Sequence, residues 1–202
     1  MLTSLVGSEM CIRDRSISSP VVFGQSFGGM VAMHYAARHP KGISKLILSS
    51  TAAQFRLDET VKMMRKLGGH RAADVAHEFF SNPSKAAYET YGEVCLPLYS
   101  NPNLPAAGTF RDRAIERPEV AFHFFSDEMA TMDMRAEIAN ITCPTLVIGG
   151  AIDPVTPTIC SEAIALAIGD NARLQMLEGC GHGPHRDDPK GAEKIMRHFL
   201  AD

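Results

Sequence analysis

Residues 20–30 have the sequence PVVFGQSFGGM, and this segment determines how the rest of the chain is interpreted. Residues 21–23 form a short apolar run, which favours a buried β-strand. Residues 29–38 have an apolar, alanine-rich pattern that favours a helix, and Pro40 lies just beyond its expected end. Between the two lies a G-x-S-x-G turn at residues 24–28. The segment therefore predicts a strand, a tight serine-containing turn and a helix, in that order.

The serine of this turn, Ser26, is a candidate nucleophile. A tight turn between a strand and a helix needs small neighbours, so Gly24 and Gly28 are predicted to avoid clashes that a Cβ atom would cause. The backbone N–H of Phe27, at the start of the helix, is expected to face a forming oxyanion. The alternative is a glycine-rich turn with a chance serine, because the five-residue pattern alone is weak. The strand before it and the helix after it favour the nucleophile.

The overall composition sets broad limits on the class of protein. The chain has 202 residues, of which 45% are hydrophobic and 21% charged, as in a soluble globular protein with one core. The formal net charge of −3 and the lack of a basic run give no electrostatic footprint for nucleic acid. No segment has 18 consecutive apolar residues, so no membrane span is expected. The five cysteines lack CxxC spacing, which predicts free thiols and a cytoplasmic location.

The first fifteen residues, MLTSLVGSEMCIRDR, differ from the rest of the chain. They show neither helical nor strand periodicity, and they do not have the pattern of a signal peptide. The run resembles a translated sequencing-adapter tract of the kind found at the ends of assembled fragments. We therefore expect residues 1–15 to be a non-native leader, with native sequence beginning near Ser16.

The remainder alternates between strand and helix patterns, except in one long helical segment. Strands are predicted at 45–48, 143–150 and 173–177, and helices at 158–167 and 189–200. Residues 53–138 favour several amphipathic helices inserted between two strands. Their apolar side chains are expected to be mostly core, with a minority lining a pocket; they include Met63, Met64, Phe79, Phe80, Phe124, Phe125 and Met129. The predicted units are a core segment 16–52, a helical cap 53–138 and a second core segment 139–202.

Ser26, Asp153 and His182 each follow the carboxyl end of a predicted parallel strand. That edge is where open α/β sheets bind their ligands. A serine hydroxyl is a poor nucleophile unless a neighbouring imidazole accepts its proton. The imidazole in turn needs a carboxylate on its other nitrogen to fix its tautomer and stabilise its charged form. The order Ser, Asp, His along the chain therefore predicts a catalytic triad.

Alternatives exist for two of these residues. Asp153 precedes a proline, as many ordinary turn aspartates do, and Asp187 and Asp188 compete with it for the acid role. His185 competes with His182 for the role of base. We favour Asp153 because it alone follows a strand at the required place, and His182 because glycines flank it directly after the strand.

Over residues 16–202 the chain resembles an α/β-hydrolase with a helical cap, and in particular the proline iminopeptidase (prolyl aminopeptidase) branch. The motifs that carry this resemblance are PVVFGQSFGGMVAMHYAARHP (20–40), KLILSSTAA (45–53), CPTLVIGGAIDPVTP (143–157) and GCGHGPHRDDP (179–189). The implied fold is α/β, with parallel strands, flanking helices and the cap formed by residues 53–138. The implied roles are nucleophile for Ser26, orienting acid for Asp153 and base for His182.

The resemblance also carries expectations about ligands. Prolyl aminopeptidases bind the free α-amine of the substrate through carboxylates of the cap, and Glu128, Glu93 and Glu89 are candidates for that role. For each of them we favour the alternative, an exposed glutamate on a helix surface. The expected substrate is a small molecule or a short peptide, and the mechanism implies no cofactor and no metal. The oligomeric state is not predicted.

The chain departs from this family in one respect. Family members have several strands before the serine turn, together with an HG-x-G-type loop that donates a second oxyanion N–H. This sequence supplies about four of eight expected strands and no such loop, so we expect a fragment with little activity of its own and part of its sheet uncovered. Loss of one oxyanion donor typically lowers the rate by about 10²–10³-fold.

Three functions remain open. The first is a serine aminopeptidase that removes an N-terminal proline. The second is a hydrolase of esters, lactones or carbon–carbon bonds that uses the same triad, and the composition of the cap decides between these two. The third is a non-catalytic ligand-binding homologue, against which the presence of all three triad residues argues.

Overall fold

Four parallel strands form one sheet in the order β1-β2-β3-β4 in the computed structural model, which describes residues 12, 14–101 and 118–202. The strands are β1 (Val21–Gln25), β2 (Lys45–Ser49), β3 (Thr145–Gly150) and β4 (Ala172–Leu177). All of their carboxyl ends therefore lie at one edge of the sheet. The predicted α/β class, with parallel strands and flanking helices, is confirmed.

Helices connect the strands at every crossover, and two more follow β4. In chain order the α-helices are α1 (Phe27–Arg38), α2 (Leu57–Ser81), α3 (Lys85–Val94), α4 (Pro118–His123), α5 (Arg135–Ile138), α6 (Thr158–Ile168), α7 (Pro184–Asp187) and α8 (Pro189–Ala201). A π-helical turn (Phe124–Glu128) follows α4. Helix α2 is kinked at Gly69, whose φ of 74° lies in a region that glycine adopts readily. Among the described residues, no helix is long and apolar enough to cross a membrane.

The middle of the sheet is buried on both faces, as is usual for parallel strands. Leu46 and Leu48 of β2 join the larger core, which includes side chains of α1, α2 and α6. Ile47, on the opposite face of β2, packs in a second cluster that includes Phe199 of α8. Because side chains alternate across a strand, this continuous apolar run supplies buried side chains to the cores on both faces of the sheet.

Strand β1 is less buried than its sequence predicts. Val21 is 46% exposed and Phe23 is 49% exposed, whereas Val22, between them, packs against the larger core. Phe23 is in register with Ile47, so it lies on the face that α8 covers farther along the sheet. The prediction of a buried first strand is therefore wrong for this face, since the second face is covered over β2, β3 and the end of β4 but not over β1.

The described part of the long segment between β2 and β3 is mainly helical, and it contains α2 to α5. The predicted domain limits at residues 52 and 139 remain predictions. Most of the predicted leader, and residues 102–117 of the predicted cap, lie outside the described residues.

Candidate active site

Ser26 lies on the turn between β1 and α1 in a strained backbone conformation. Its φ of 51° and ψ of −124° are unusual for a residue with a side chain. Two contacts support this conformation: the Ser26 N–H donates to the Ser49 carbonyl (3.0 Å), and the Thr51 hydroxyl donates to the Ser26 carbonyl (2.7 Å). Strain of this kind persists only where surrounding structure enforces it, and it is concentrated at functional sites.

Of the two glycines predicted to avoid a clash in the turn, only Gly24 has that role. A Cβ atom on Gly24 would lie 2.5 Å from the Gly28 carbonyl oxygen, so Gly24 is required for the close approach of strand and helix. At Gly28, a Cβ atom would meet no described atom within 4 Å, and the predicted clash there is wrong. The second close approach is at Gly29, where a Cβ atom would lie 2.6 Å from the side chain of Thr51.

This difference predicts opposite effects for two neighbouring substitutions. Gly29→Ala is expected to lower the free energy of unfolding by roughly 1–3 kcal/mol, because the added methyl group overpacks a buried contact. Gly28→Ala is the matched control and is expected to be neutral or slightly stabilising, since alanine favours a helix by about 1 kcal/mol over glycine. Urea unfolding of both variants measures this, and equal destabilisation would contradict the assignment.

Asp153 lies on the loop after β3 and is fully buried. Its Oδ1 accepts hydrogen bonds from the backbone N–H groups of Val155 (2.8 Å) and Thr156 (2.9 Å). Its Oδ2 accepts a bond from the Thr156 hydroxyl (2.8 Å). The backbone and side chain of residues 155–156 thus fold back onto the Asp153 carboxylate, and these local hydrogen bonds fix its orientation independently of His182.

His182 connects Asp153 to Ser26. Its Nδ1 lies 3.0 and 2.9 Å from the two carboxylate oxygens of Asp153, and its Nε2 lies 2.9 Å from Ser26 Oγ. These partners assign the tautomer in which Nδ1–H donates to Asp153 and Nε2 accepts from the serine hydroxyl. The structure therefore brings the three predicted residues together in one hydrogen-bonded chain.

The carboxyl group of Asp153 is held in its charged form. Burial acts to raise its pKa, but the electrostatic attraction to His182 and the hydrogen bonds from His182 and Thr156 outweigh burial, and the pKa lies below its usual value. Asp153 is therefore an ionised acceptor at neutral pH. An ionised acceptor on Nδ1 stabilises the imidazolium that forms when Nε2 gains a proton.

The competing residues occupy other positions. His185 is exposed, and its ring lies edge-on to Phe23, 6.5 Å between ring centres. Asp188 accepts a hydrogen bond from the Gly191 N–H and caps α8. Asp187 is buried and bonds to the backbone of Gly181 and to other neighbours, but not to an imidazole among the described contacts.

A cavity of about 460 Å³ opens beside Ser26 and His182. Its walls are mainly aromatic and aliphatic side chains of the segment between β2 and β3. They include Phe55, Phe79, Phe80, Phe124, Phe125 and Met129. Five of the seven apolar residues considered in the sequence line this cavity, so the expectation that only a minority would do so is wrong. Among the described residues, the lining contains no Asp, Glu, Lys or Arg.

Two tyrosines in the cavity wall were not anticipated from the sequence. The hydroxyl groups of Tyr91 and Tyr99 are hydrogen-bonded to each other at 2.8 Å, which satisfies the hydroxyl of the buried Tyr91 in an apolar wall. Burial is the main cause of the pKa of Tyr91 lying well above its usual value. The Tyr99 ring lies edge-on to the imidazole of His182, with 5.2 Å between ring centres. Their positions depend on the packing of α3, so no local sequence motif identifies them.

Other residues of the site had weak sequence signals. The side-chain amide of Gln25, the variable residue before the serine, donates to the His182 carbonyl (3.2 Å). The only sequence signal for Thr156 is its place three residues after Asp153, in the turn that Asp153 begins. No group of three or more His, Cys, Asp or Glu side chains is placed to hold a metal ion within the described part of the chain.

The predicted amine-binding glutamates do not line the cavity. Glu93 and Glu89 are exposed on α3, and Glu89 lies 3.9 Å from Lys85 in a surface ion pair. Glu128 is half-buried at the end of the π-helical turn and lies 4.0 Å from His123. Their placement gives no support to a role in binding a substrate amine.

Comparison with known proteins gives the family. A family model described as serine aminopeptidase, S33, matches residues 8–189, which include all three residues of the hydrogen-bonded chain. The chain belongs to the serine aminopeptidase S33 family. The family name alone does not specify the substrate, because relatives with different activities match this chain.

Two curated relatives illustrate that range. Strigolactone esterase D14 of Arabidopsis thaliana is 26% identical over 179 residues, which cover 88% of this chain and 64% of that protein. A proline iminopeptidase of Lactobacillus delbrueckii subsp. lactis is 25% identical over 195 residues, which cover 89% of this chain and 64% of that protein. The chain thus spans a little under two thirds of the length of both relatives.

The solved structures agree on the fold. An α/β-fold-family hydrolase from Bacillus anthracis str. Sterne aligns with 98% of this chain and 73% of its own, with a TM-score of 0.73 and 17% identity. At that identity the likeness concerns the fold alone. The chain has the α/β-hydrolase fold that its motifs predict.

Proposed function

We propose that this chain is a serine hydrolase that cleaves carboxylic esters with an apolar acyl group. The observation that carries the proposal is the hydrogen-bonded chain from Ser26 through His182 to Asp153, which opens directly onto an apolar cavity. These groups stand in the geometry that acyl transfer requires: a nucleophile, a base and a group that orients the base.

The reaction follows from the positions of the protons. Ser26 Oγ attacks the ester carbonyl carbon while its proton passes to His182 Nε2, and the carbonyl electron pair moves onto oxygen. When the tetrahedral species collapses, the bond to the leaving alcohol breaks and the imidazolium donates its proton to that alcohol. A water molecule then gives its proton to His182 Nε2 and attacks the acyl-serine. When the second tetrahedral species collapses, the bond between the acyl carbon and Ser26 Oγ breaks, His182 returns the proton to Ser26 Oγ, and the carboxylic acid is released.

The start of α1 is positioned to stabilise the oxyanion. Phe27 occupies the first position of that helix, where a backbone N–H has no acceptor within the helix. The helix dipole adds a partial positive charge at the same end. We therefore assign the Phe27 N–H as an oxyanion donor.

The lining of the cavity favours an ester over a peptide with a free N-terminus. A charged α-ammonium group in an apolar cavity has a large desolvation cost unless an anion or several acceptors compensate. The described lining supplies no carboxylate for that purpose. An acyl chain, in contrast, gains free energy from every methylene group that it buries.

A proline iminopeptidase is the second candidate, supported by the sequence motifs and by the Lactobacillus relative. A proline ring is apolar and compatible with aromatic walls. In this case the α-amine would need an acceptor, and Glu128, which directly precedes the lining residue Met129, is the least exposed of the three predicted glutamates. Hydrolysis of lactones or carbon–carbon bonds would use the same three residues.

Matched chromogenic substrates distinguish these functions. We expect kcat/KM for p-nitrophenyl esters to rise about fourfold for each methylene added to a short acyl chain, because each buried methylene contributes about 0.8 kcal/mol. Proline p-nitroanilide is expected to be a poor substrate. A clear preference for the prolyl amide would instead support the iminopeptidase. Turnover of either class that persists in Ser26→Ala would contradict a serine hydrolase of any kind.

A further inference from the structure

Helix α7 carries a buried carboxylate that the reaction described above does not use. The side chain of Asp187 is only 2% exposed. Buried carboxylates are uncommon in proteins unless their hydrogen-bonding capacity is satisfied, because burying an unpaired charge is costly. The hydrogen-bond partners of Asp187 therefore indicate which parts of the chain its buried carboxylate connects.

These contacts join two separate parts of the chain. Asp187 Oδ2 accepts a hydrogen bond from the Gly181 N–H (2.7 Å), immediately before His182. The same oxygen accepts a hydrogen bond from the Asn101 N–H (3.2 Å), at the end of the segment that carries Tyr99. The other oxygen, Oδ1, lies 3.5 Å from Nε of Arg186. One carboxylate thus ties the histidine loop to the wall of the cavity.

The backbone of His182 depends on that junction. The His182 N–H donates to the Tyr99 carbonyl (2.7 Å), which also accepts from Nη2 of Arg186 (3.3 Å). The backbone of Gly181 lies so close to Tyr99 that a Cβ atom on Gly181 would lie 2.3 Å from the Tyr99 carbonyl oxygen. The Asn101 side chain closes the junction by donating to the Gly179 carbonyl (2.7 Å). The histidine loop and residues 99–101 are therefore in contact along their length.

We propose that Asp187 is a positioning residue that holds His182 in place by joining its loop to residues 99–101. This inference rests on the proposed hydrolase function, since it concerns the base of that reaction. The transfer of a proton from Ser26 Oγ to His182 Nε2 requires hydrogen-bond contact, and a displacement of about 1 Å can lower a rate by about 10²-fold. Asp187 itself does not line the cavity, so its effect is expected to fall on the reaction step more than on substrate binding.

The test compares Asp187→Asn with Asp188→Asn. The asparagine at position 187 keeps the shape, but its amide oxygen is a weaker acceptor than a carboxylate oxygen, so the bonds from Gly181 and Asn101 weaken. Its NH₂ group cannot accept a hydrogen bond, so Arg186 loses its acceptor when the amide oxygen faces Gly181. Asp188 is the adjacent, exposed carboxylate that caps α8, and it serves as the matched control. In Asp187→Asn we expect kcat to fall by about 10–100-fold with KM within threefold. In Asp188→Asn we expect both values to stay within twofold.

A proton NMR measurement gives a second readout that needs no turnover. The Nδ1–H of His182, which donates to Asp153, is expected to give a downfield signal in the unmodified chain and in Asp188→Asn. In Asp187→Asn this signal is expected to broaden or disappear while the dispersed spectrum of the folded chain remains. A purely stabilising role would leave the signal and kcat of the folded molecules unchanged, and that result would overturn the inference.

Two further measurements keep the outcomes separate. If Asp187→Asn does not fold, Asn101→Ala weakens the same junction through Gly179 and is expected to lower kcat in the same direction; an unchanged kcat would count against the junction.

Ser26→Ala is assayed in parallel. If it hydrolyses esters as fast as the unmodified chain, the proposed function fails, while the NMR comparison still decides whether Asp187 positions His182.

Discussion

Replacing Ser26 with alanine is expected to remove ester hydrolysis, lowering kcat by up to about 10⁶-fold, which is the scale of losing a triad nucleophile. The reason is that no other group stands at the end of the hydrogen-bonded chain: His182 Nε2 lies 2.9 Å from Ser26 Oγ and has no alternative hydroxyl among its described partners. Thr156 lies 3.4 Å from the other nitrogen, Nδ1, and donates to Asp153 instead.

The measurement is the initial rate on an activated ester, because slow turnover is predicted for this chain. Ser126 provides a matched control: it lies exposed on the π-helical turn, and Ser126→Ala is expected to leave the rate unchanged. The same loss in both variants would show that the assay reports folding and not nucleophilic attack.

Asp153→Asn is expected to lower kcat by about 10⁴-fold with a smaller change in KM. The amide fits the same space but presents an N–H group to its neighbours, so it no longer holds the His182 tautomer in which Nδ1 carries the proton. It also removes the negative charge that stabilises the imidazolium. Steady-state kinetics on one ester measures the effect. A loss of less than tenfold would show that Asp153 does not orient the base.

The same substitution has a signature in stability. Because the pKa of the Asp153 carboxyl is lowered in the folded chain, its ionisation stabilises the fold above the pKa of the unfolded state. That contribution disappears as the pH falls through the lowered pKa. The difference in free energy of unfolding between the unmodified chain and Asp153→Asn is therefore expected to be largest near neutral pH and to shrink below about pH 4. A constant difference would contradict the lowered pKa.

The sequence was sufficient to predict the elements that carry the site. That Ser26, Asp153 and His182 lie together is predictable because each of them follows a recognisable strand, and parallel strands bring their carboxyl ends to one edge. Local patterns also predicted α1 and α8 to within a few residues of the observed limits. Features of this kind depend on short stretches of sequence, which is why they are predictable.

What could not be predicted depends on contacts between distant parts of the chain. The role of Gly29 follows from Thr51, which lies on a different strand connection. The exposure of Phe23 follows from how far α8 extends across the sheet. Asp187 appeared in the sequence only as a competitor for the acid role, because its bonds to Gly181 and Asn101 arise from tertiary packing.

The most direct test of the hydrolase proposal is covalent labelling with a fluorophosphonate, which forms a bond to an activated serine and needs no turnover. We predict that the intact mass rises by one label and that peptide mapping places the label on Ser26. We also predict that His182→Ala abolishes the reaction, because the hydroxyl then has no base. A folded chain that stays unlabelled, or that is labelled equally well without His182, would contradict the account.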